Sequence, residues 1–164
     1  MELVIADHLP LGFIEALAAS PHALFAVPAA IALLTAGFVT FSVPGTIAPM
    51  SFLSGVLLGF GGILVVALGV LVGSHILFLA SRRWLRDWIE RRFGERLDTI
   101  REHLGRKGPL YVVGARLTGV PHIVVTAGCA ATPMTARQFL AASMLGMLPA
   151  ISLAAMAGNG LALI

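Results

Sequence analysis

Three polar side chains within one apolar stretch are the residues best suited to chemistry: Arg116, Thr118 and His122 of ARLTGVPHI. In a membrane, an arginine at such a position costs about 2.5–3.5 kcal/mol on insertion scales and needs a compensating partner. The flanking apolar segments contain no carboxylate. A lipid phosphate would supply the missing charge, and arginine can hold it through two parallel hydrogen bonds. The alternative is a guanidinium that lies near the membrane interface or donates to backbone carbonyls.

The neighbouring polar residues each have two interpretations. His122 follows Arg116 by six residues and either adds a second donor to the same headgroup, relays a proton, or is a hydrogen-bonded packing residue. Thr118, and Thr46 in the separate VPGT motif, carry hydroxyls that bond either phosphate oxygens or exposed backbone groups of a turn. We predict a phosphate-binding set of Arg116, His122 and Thr118.

Other chemistry is not indicated by the sequence. His75 has no second His, Cys or carboxylate at a metal-ligand spacing, so no metal site is predicted. No nucleophile stands with a base and an orienting group, which argues against an enzyme, and no cofactor is predicted. The single Cys129 cannot form an internal disulfide and lies among apolar residues, as a packing residue would.

The composition is that of a membrane protein. Hydrophobic residues make up 58% of the chain and charged residues only 12%, against about 25% charged residues in soluble domains. No Asp, Glu, Lys or Arg occurs from Ala16 to Ser81. Such a stretch is too long for one crossing, so it must fold back within the membrane.

The apolar sequence predicts membrane helices near residues 22–41, 61–81 and 136–162. Between the first two, residues 43–60 contain Pro44, Gly45 and Pro49. These residues interrupt regular helices and favour a re-entrant hairpin. A distorted crossing and a surface turn followed by a short helix are the alternatives. A second re-entrant segment is predicted after Gly108, where Arg116, Gly119 and Pro121 suit a continuous lipid-facing helix poorly.

Nine of the eleven Lys and Arg residues lie between Arg82 and Lys107. The positive-inside rule places this segment in the cytoplasm, and its clustering favours a membrane surface over nucleic acid. Apolar residues recur there at helical spacing and predict an amphipathic helix, which is either solvated or embedded in the lipid headgroups. They are Leu85, Trp88, Ile89, Phe93, Leu97, Ile100 and Leu104.

These elements predict one all-α membrane domain over residues 1–164. It consists of an N-terminal segment (1–21), a first hydrophobic half (22–81), a basic linker (82–108) and a second hydrophobic half (109–164). With the linker inside the cell, the two hairpins enter from opposite sides and form an inverted repeat, an arrangement that places polar sites near the midplane in several transporters.

The order of VPGT, a Gly-rich apolar helix, a basic segment, ARLTGVP, AG and ARQF resembles the DedA or VTT-domain superfamily, also called SNARE-associated membrane proteins. The resemblance covers roughly residues 38–160. It implies two opposed re-entrant hairpins and movement of lipids between leaflets, including polyisoprenyl-phosphate carriers in bacteria and phospholipids in eukaryotic relatives. It assigns Val43, Pro44 and Gly45 to the first hairpin turn and Arg116 to the second-hairpin arginine.

The sequence also departs from the family pattern. Many members place an acidic residue beside the Pro-Gly turn and use carboxylates for proton coupling, whereas Thr46 stands here. Where the second hairpin often has a proline and a further arginine, this chain has Gly119 and His122. His122 replaces that cation only when it is protonated.

We therefore expect a multi-pass protein of the inner or plasma membrane that acts as a lipid transporter or scramblase. Its partners are membrane lipids with phosphate-bearing headgroups and not nucleic acid, and self-association into a homo-oligomer is compatible with the sequence. A small-solute or ion transporter of the same fold and a noncatalytic membrane assembly factor are the alternatives.

Overall fold

The computed structural model describes residues 23–84, 91–92, 95, 98, 102–103 and 107–162. These residues include no strand, and the elements with assigned bounds are helices, as the apolar sequence predicts. The elements are α1 (Ala23–Thr40), α2 (Ile47–Leu58), α3 (Gly61–Arg83), α4 (Pro109–Leu117), α5 (His122–Ala130) and α6 (Ala136–Ala162). The predicted amphipathic helix of the basic linker has all seven of its apolar positions outside the described residues.

Helices α3 and α6 are long and apolar enough to cross a membrane. At a rise of about 1.5 Å per residue they measure about 35 and 40 Å, against about 30 Å for a bilayer core. The helix bounds confirm those predicted near 61–81 and 136–162.

The outer face of α3 is apolar. Leu64, Leu68, Val72 and Ile76 recur every four residues and are exposed, Leu64 by 70%. Small residues of the same helix, such as Gly69 and Ser74, are buried. A continuous apolar stripe of this kind suits contact with lipid rather than with water.

Helix α1 packs on α3 through glycines. A Cβ atom placed on Gly73 would lie 2.5 Å from the Ala36 carbonyl oxygen and 2.8 Å from Val39 Cβ. Only a residue without a side chain lets the two backbones approach this closely, which is the usual means of packing helices in membranes. Helix α1 has 18 residues and matches the bounds of the helix predicted near 22–41.

Residues 43–60 do not form a hairpin among themselves. They contribute to a turn, which includes Pro44, and then form the 12-residue helix α2. Pro49 lies in the first turn of α2, where its missing N–H has no intrahelical acceptor to lose. The structure thus shows a turn followed by a short helix over this stretch, because these prolines lie where they start a helix rather than break one.

Helix α2 crosses to the second half of the chain and packs along α6. A Cβ atom on Gly55 would overlap the backbone of Ala155, and one on Gly158 would overlap the carbonyl oxygen of Phe52. The two helices therefore meet backbone to backbone, at a pair of glycines that face each other's helix.

The stretch after Gly108 folds as two short helices, α4 and α5, joined by a turn at residues 118–121. Each has nine residues and measures about 13 Å, less than half of a bilayer core. Gly119 has a φ of +76°, which favours glycine, and the Val120 amide donates to the Ala115 carbonyl at 3.3 Å. Helix α4 packs on α6, and α5 packs on α3.

Arg82, in the last turn of α3, fixes the end of α5. Its Nε donates to the Ala130 carbonyl at 3.1 Å, and its Nη2 donates to the Thr132 and Met134 carbonyls at 2.9 and 2.8 Å. The guanidinium also lies 4.7 Å from the ring centre of Phe78. These contacts hold the segment between α5 and α6 against the first half of the chain.

Candidate functional site

The first turn (residues 41–46, between α1 and α2) and the second turn (residues 118–121, between α4 and α5) both line one cavity of about 420 Å³. The middle of α6 also contributes to its wall. Arg116 is the only charged side chain among the lining residues, and His122 is the only other titratable one. The lining residues are Val43, Pro44, Gly45, Ile47, Ala48, Arg116, Gly119, Val120, Pro121, His122, Met147 and Ala150.

Arg116 lies in the last turn of α4 and reaches towards α5 and α6. Its Nη1 donates to His122 Nδ1 at 2.9 Å and to the His122 carbonyl at 3.4 Å. Its Nη2 donates to Thr126 Oγ1 at 3.0 Å and to Ser143 Oγ at 3.5 Å. The guanidinium carbon is 5.7 Å from the ring centre of Phe139.

These contacts satisfy hydrogen bonds but leave the positive charge of Arg116 without an opposite charge. Every acceptor is neutral, and no carboxylate of the described residues bonds the guanidinium. Buried Nε has no hydrogen-bond partner. A phosphate held by two parallel hydrogen bonds therefore requires Arg116 to exchange at least one protein acceptor for a phosphate oxygen.

His122 is the first residue of α5 and links Arg116 to α3. A guanidinium only donates hydrogen bonds, so Nδ1 of His122 accepts from Arg116 and carries no proton. The proton of the neutral ring then lies on Nε2, which is 3.5 Å from Ser74 Oγ. In this arrangement His122 orients the arginine and is not a second cation.

The two threonines predicted near the turns bond the backbone. Thr118 Oγ1 is 3.1 Å from the Gly114 carbonyl oxygen and 3.3 Å from that of Ala115, while Thr46 Oγ1 donates to the Val43 carbonyl at 3.1 Å. Neither lines the cavity. Because the Thr118 hydroxyl proton is already donated, phosphate binding by Thr118 stays a prediction without a free donor to support it.

The remaining predicted turn residues, Pro44, Gly45, Gly119 and Pro121, all line the cavity. Gly45 and Gly119 both have positive φ angles, of 78° and 76°. The two turns that the sequence singles out separately are thus brought together by the fold around the same cavity as Arg116.

Three partners of the site were missed by sequence reasoning: Ser74, Thr126 and Ser143. All three are completely buried. Each is a hydroxyl residue in a largely apolar helix, where it has no spacing relationship to Arg116. Thr126 lies four residues after His122 on the same helix, which is the one signal that could have suggested a shared face.

Other polar groups do not extend the site. His75 Nδ1 is buried without a partner, but His75 is absent from the cavity lining. Cys129 is a free, buried thiol. Among the described ranges, no three His, Cys, Asp or Glu side chains are grouped as metal ligands would be.

Comparison with known proteins identifies one family model, described as the VTT domain, that matches residues 27–160. The match includes both turns, Arg116, the whole of α3 and all but the last two residues of α6. No solved structure matches the chain.

Proposed function

The chain belongs to the VTT-domain family, the DedA or SNARE-associated family of membrane-associated, transporter-like proteins, and from this premise we propose that it moves phosphate-bearing lipids between leaflets. The observation that carries the proposal is the cavity between the two turns, in which Arg116 is the one charged lining residue. The substrate is a phospholipid or a polyprenyl phosphate.

The charge balance of the cavity supports an anionic ligand. Arg116 brings one positive charge, its hydrogen-bond acceptors are neutral, and a phosphate oxygen would add the missing negative charge. In surroundings of low dielectric constant such a pair gains more than it does in water. The apolar remainder of the lining, including Ile47, Met147 and Ala150, suits the first carbons of a lipid tail.

Crossed packing supports an inverted repeat. In the first half α1 packs on α3, and in the second half α4 packs on α6. Helix α2 of the first half then packs on α6 of the second half, and α5 of the second half packs on α3 of the first. A Val-Pro pair precedes both α2 and α5, at Val43 and at Val120.

In this proposal, the helix pairs α1–α2 and α4–α5 are the two re-entrant hairpins. Helices α2, α4 and α5 are each shorter than a bilayer core, so a pair that turns back near the midplane suits their lengths. The first hairpin enters from outside and the second from the cytoplasm, in a single multi-pass domain of the inner or plasma membrane. Residues 82–108 are cytoplasmic.

No covalent chemistry is part of the mechanism. The headgroup passes through the cavity while the tail stays in lipid, and Arg116 replaces part of the hydration that the phosphate loses. Arg116 is the binding residue, while the two turns shape the space around the headgroup.

Lipid exchange in liposomes tests the proposal. Purified chain should accelerate leaflet exchange of a labelled phosphatidylglycerol or a labelled polyprenyl phosphate, assayed separately to distinguish the two substrates. Arg116→Ala should slow exchange by about tenfold or more, since it removes a charge-assisted hydrogen bond to the headgroup. Arg137→Ala is the matched control, because Arg137 is exposed at the start of α6 and lies outside the cavity.

Equal exchange rates for the Arg116 and Arg137 variants would remove Arg116 from the site. Solute-dependent uptake without lipid exchange would favour a solute transporter instead. No transport in isolation, together with a stable partner recovered in mild detergent, would indicate an assembly factor.

A further inference from the structure

His122 stands between two groups that constrain its ring. Arg116 Nη1 donates to Nδ1 at 2.9 Å, and Ser74 Oγ lies 3.5 Å from Nε2. Protonation of His122 would remove the Nδ1 lone pair on which the Arg116 bond depends. It would also place two positive charges in contact, which is unfavourable at this distance.

In the part of the chain that the structure describes, the other elements around the ring add no charge that would offset this repulsion. Helix α3 contributes the Ser74 hydroxyl, and α6 contributes the Ser143 hydroxyl to the same arginine. On α5 the titratable side chain near Arg116 is the buried thiol of Cys129. The first turn brings only apolar residues and Gly45 to the cavity. Among the described residues, Arg116 is therefore the one charged group bonded to His122.

We propose that His122 is a proton-sensitive positioning residue: neutral His122 holds the Arg116 guanidinium against the protein, and protonated His122 releases it to bind an anionic phosphate in the cavity. Arg116 then gives up the bond to Nδ1 and gains a phosphate oxygen in its place. The phosphate attracts both cations, so protonation and phosphate binding favour each other. This inference rests on the proposed function, since it concerns the same cavity.

The direction of the pH effect follows from reciprocal linkage. If protonation of His122 strengthens phosphate binding, phosphate binding must draw a proton onto His122 by the same factor. Affinity for phosphate should therefore increase as the pH falls, because acidification favours the protonated ring. A phosphodiester is the suitable probe because its single negative charge does not change during the acidification.

The test measures binding of dihexanoyl phosphatidylglycerol to the full chain in phosphatidylcholine nanodiscs. For the unmodified chain, the dissociation constant should decrease by about tenfold on acidification, the size of effect expected from one charge-assisted hydrogen bond. His122→Asn keeps a non-titrating acceptor near Nδ1, so its affinity should stay at the low value at every pH. His122→Ala removes the restraint, so its affinity should stay at the high value at every pH.

His75→Gln is the matched control. His75 lies in α3 next to Ser74 but outside the cavity lining, and its removal should leave the pH dependence unchanged. A pH-independent dissociation constant for the unmodified chain would overturn the inference. So would an unaltered pH dependence in His122→Asn.

These outcomes separate the inference from the proposed function. Lipid exchange that depends on Arg116, combined with binding that ignores pH, would leave the transport proposal standing and remove the role of His122. Binding that follows the predicted pH dependence, without lipid exchange in liposomes, would support the role of His122 and contradict the transport proposal.

Discussion

At the scale of single residues, Arg116 is held by a set of neutral acceptors that its sequence neighbourhood only partly reveals. An arginine followed by a histidine six residues later was sufficient to predict a polar site near the second turn. The hydroxyls of Thr126 and Ser143 could not be predicted, because only the packing of α5 and α6 against α4 brings them to the guanidinium. The sequence also offered no sign that His122 accepts from Arg116 rather than acting beside it.

Loss of the Thr126 hydroxyl should destabilise the protein. Thr126→Val keeps the shape of the side chain but leaves Arg116 Nη2 without its 3.0 Å acceptor in a buried place. We expect a decrease of about 1–3 kcal/mol in the free energy of unfolding. Denaturation of the purified chain in mixed detergent micelles measures it.

Thr118→Val is the control for that experiment. The Thr118 side chain is exposed, and its hydroxyl donates to the carbonyls of its own helix. Its unfolding free energy should change by no more than about 0.5 kcal/mol. Equal losses in the two variants would contradict the role given to Thr126 as a support for Arg116.

At the scale of helices, hydrophobic length identified α3 and α6 well, whereas the short elements depended on details that composition does not contain. A charge-free stretch of sufficient length predicts a crossing helix whatever its partners are. Pro49 shows the difference for α2: a proline ends one helix or begins another according to its position, and periodicity in an entirely apolar segment does not give that position. The close packing of α2 on α6 could likewise not be predicted, because it depends on Gly55 and Gly158, which face each other's helix only in the folded chain.

The contact between α2 and α6 makes Gly158 intolerant of any side chain. In Gly158→Ala the new Cβ would overlap the Phe52 carbonyl oxygen, so the two helices must separate. Overpacking of this kind costs about 1–3 kcal/mol, and thermal unfolding in mild detergent should show it as a lower midpoint. Gly160→Ala is the matched control, because a Cβ there meets no atom within 4 Å. A midpoint lowered equally by both changes would argue against close α2–α6 packing.

At the scale of the whole molecule, both hydrophobic halves line one cavity, and α2 and α5 each pack on the long helix of the other half. The basic segment between the halves orients the proposed arrangement. With residues 82–108 in the cytoplasm, α3 begins outside at Gly61 and ends inside near Trp84, and each hairpin returns to the side from which it enters.

Labelling of single cysteines tests this orientation. In a Cys129→Ala background, Trp84→Cys should react with a membrane-impermeant maleimide only from the cytoplasmic side, and Gly61→Cys only from the outside. Both positions are exposed at opposite ends of α3, so accessibility within the protein does not limit the reaction. Labelling of both cysteines from the same side would contradict α3 as a crossing helix.

The central claim is that a phosphate headgroup occupies the cavity beside Arg116. A phospholipid with a photoreactive group on its headgroup, incorporated in liposomes with the full chain, tests it most directly when adducts are mapped by mass spectrometry. The account predicts adducts in residues 43–45 and 119–122, with strong depletion in Arg116→Ala but not in Arg137→Ala. Adducts confined to other parts of the chain, or unchanged at both turns in Arg116→Ala, would contradict it.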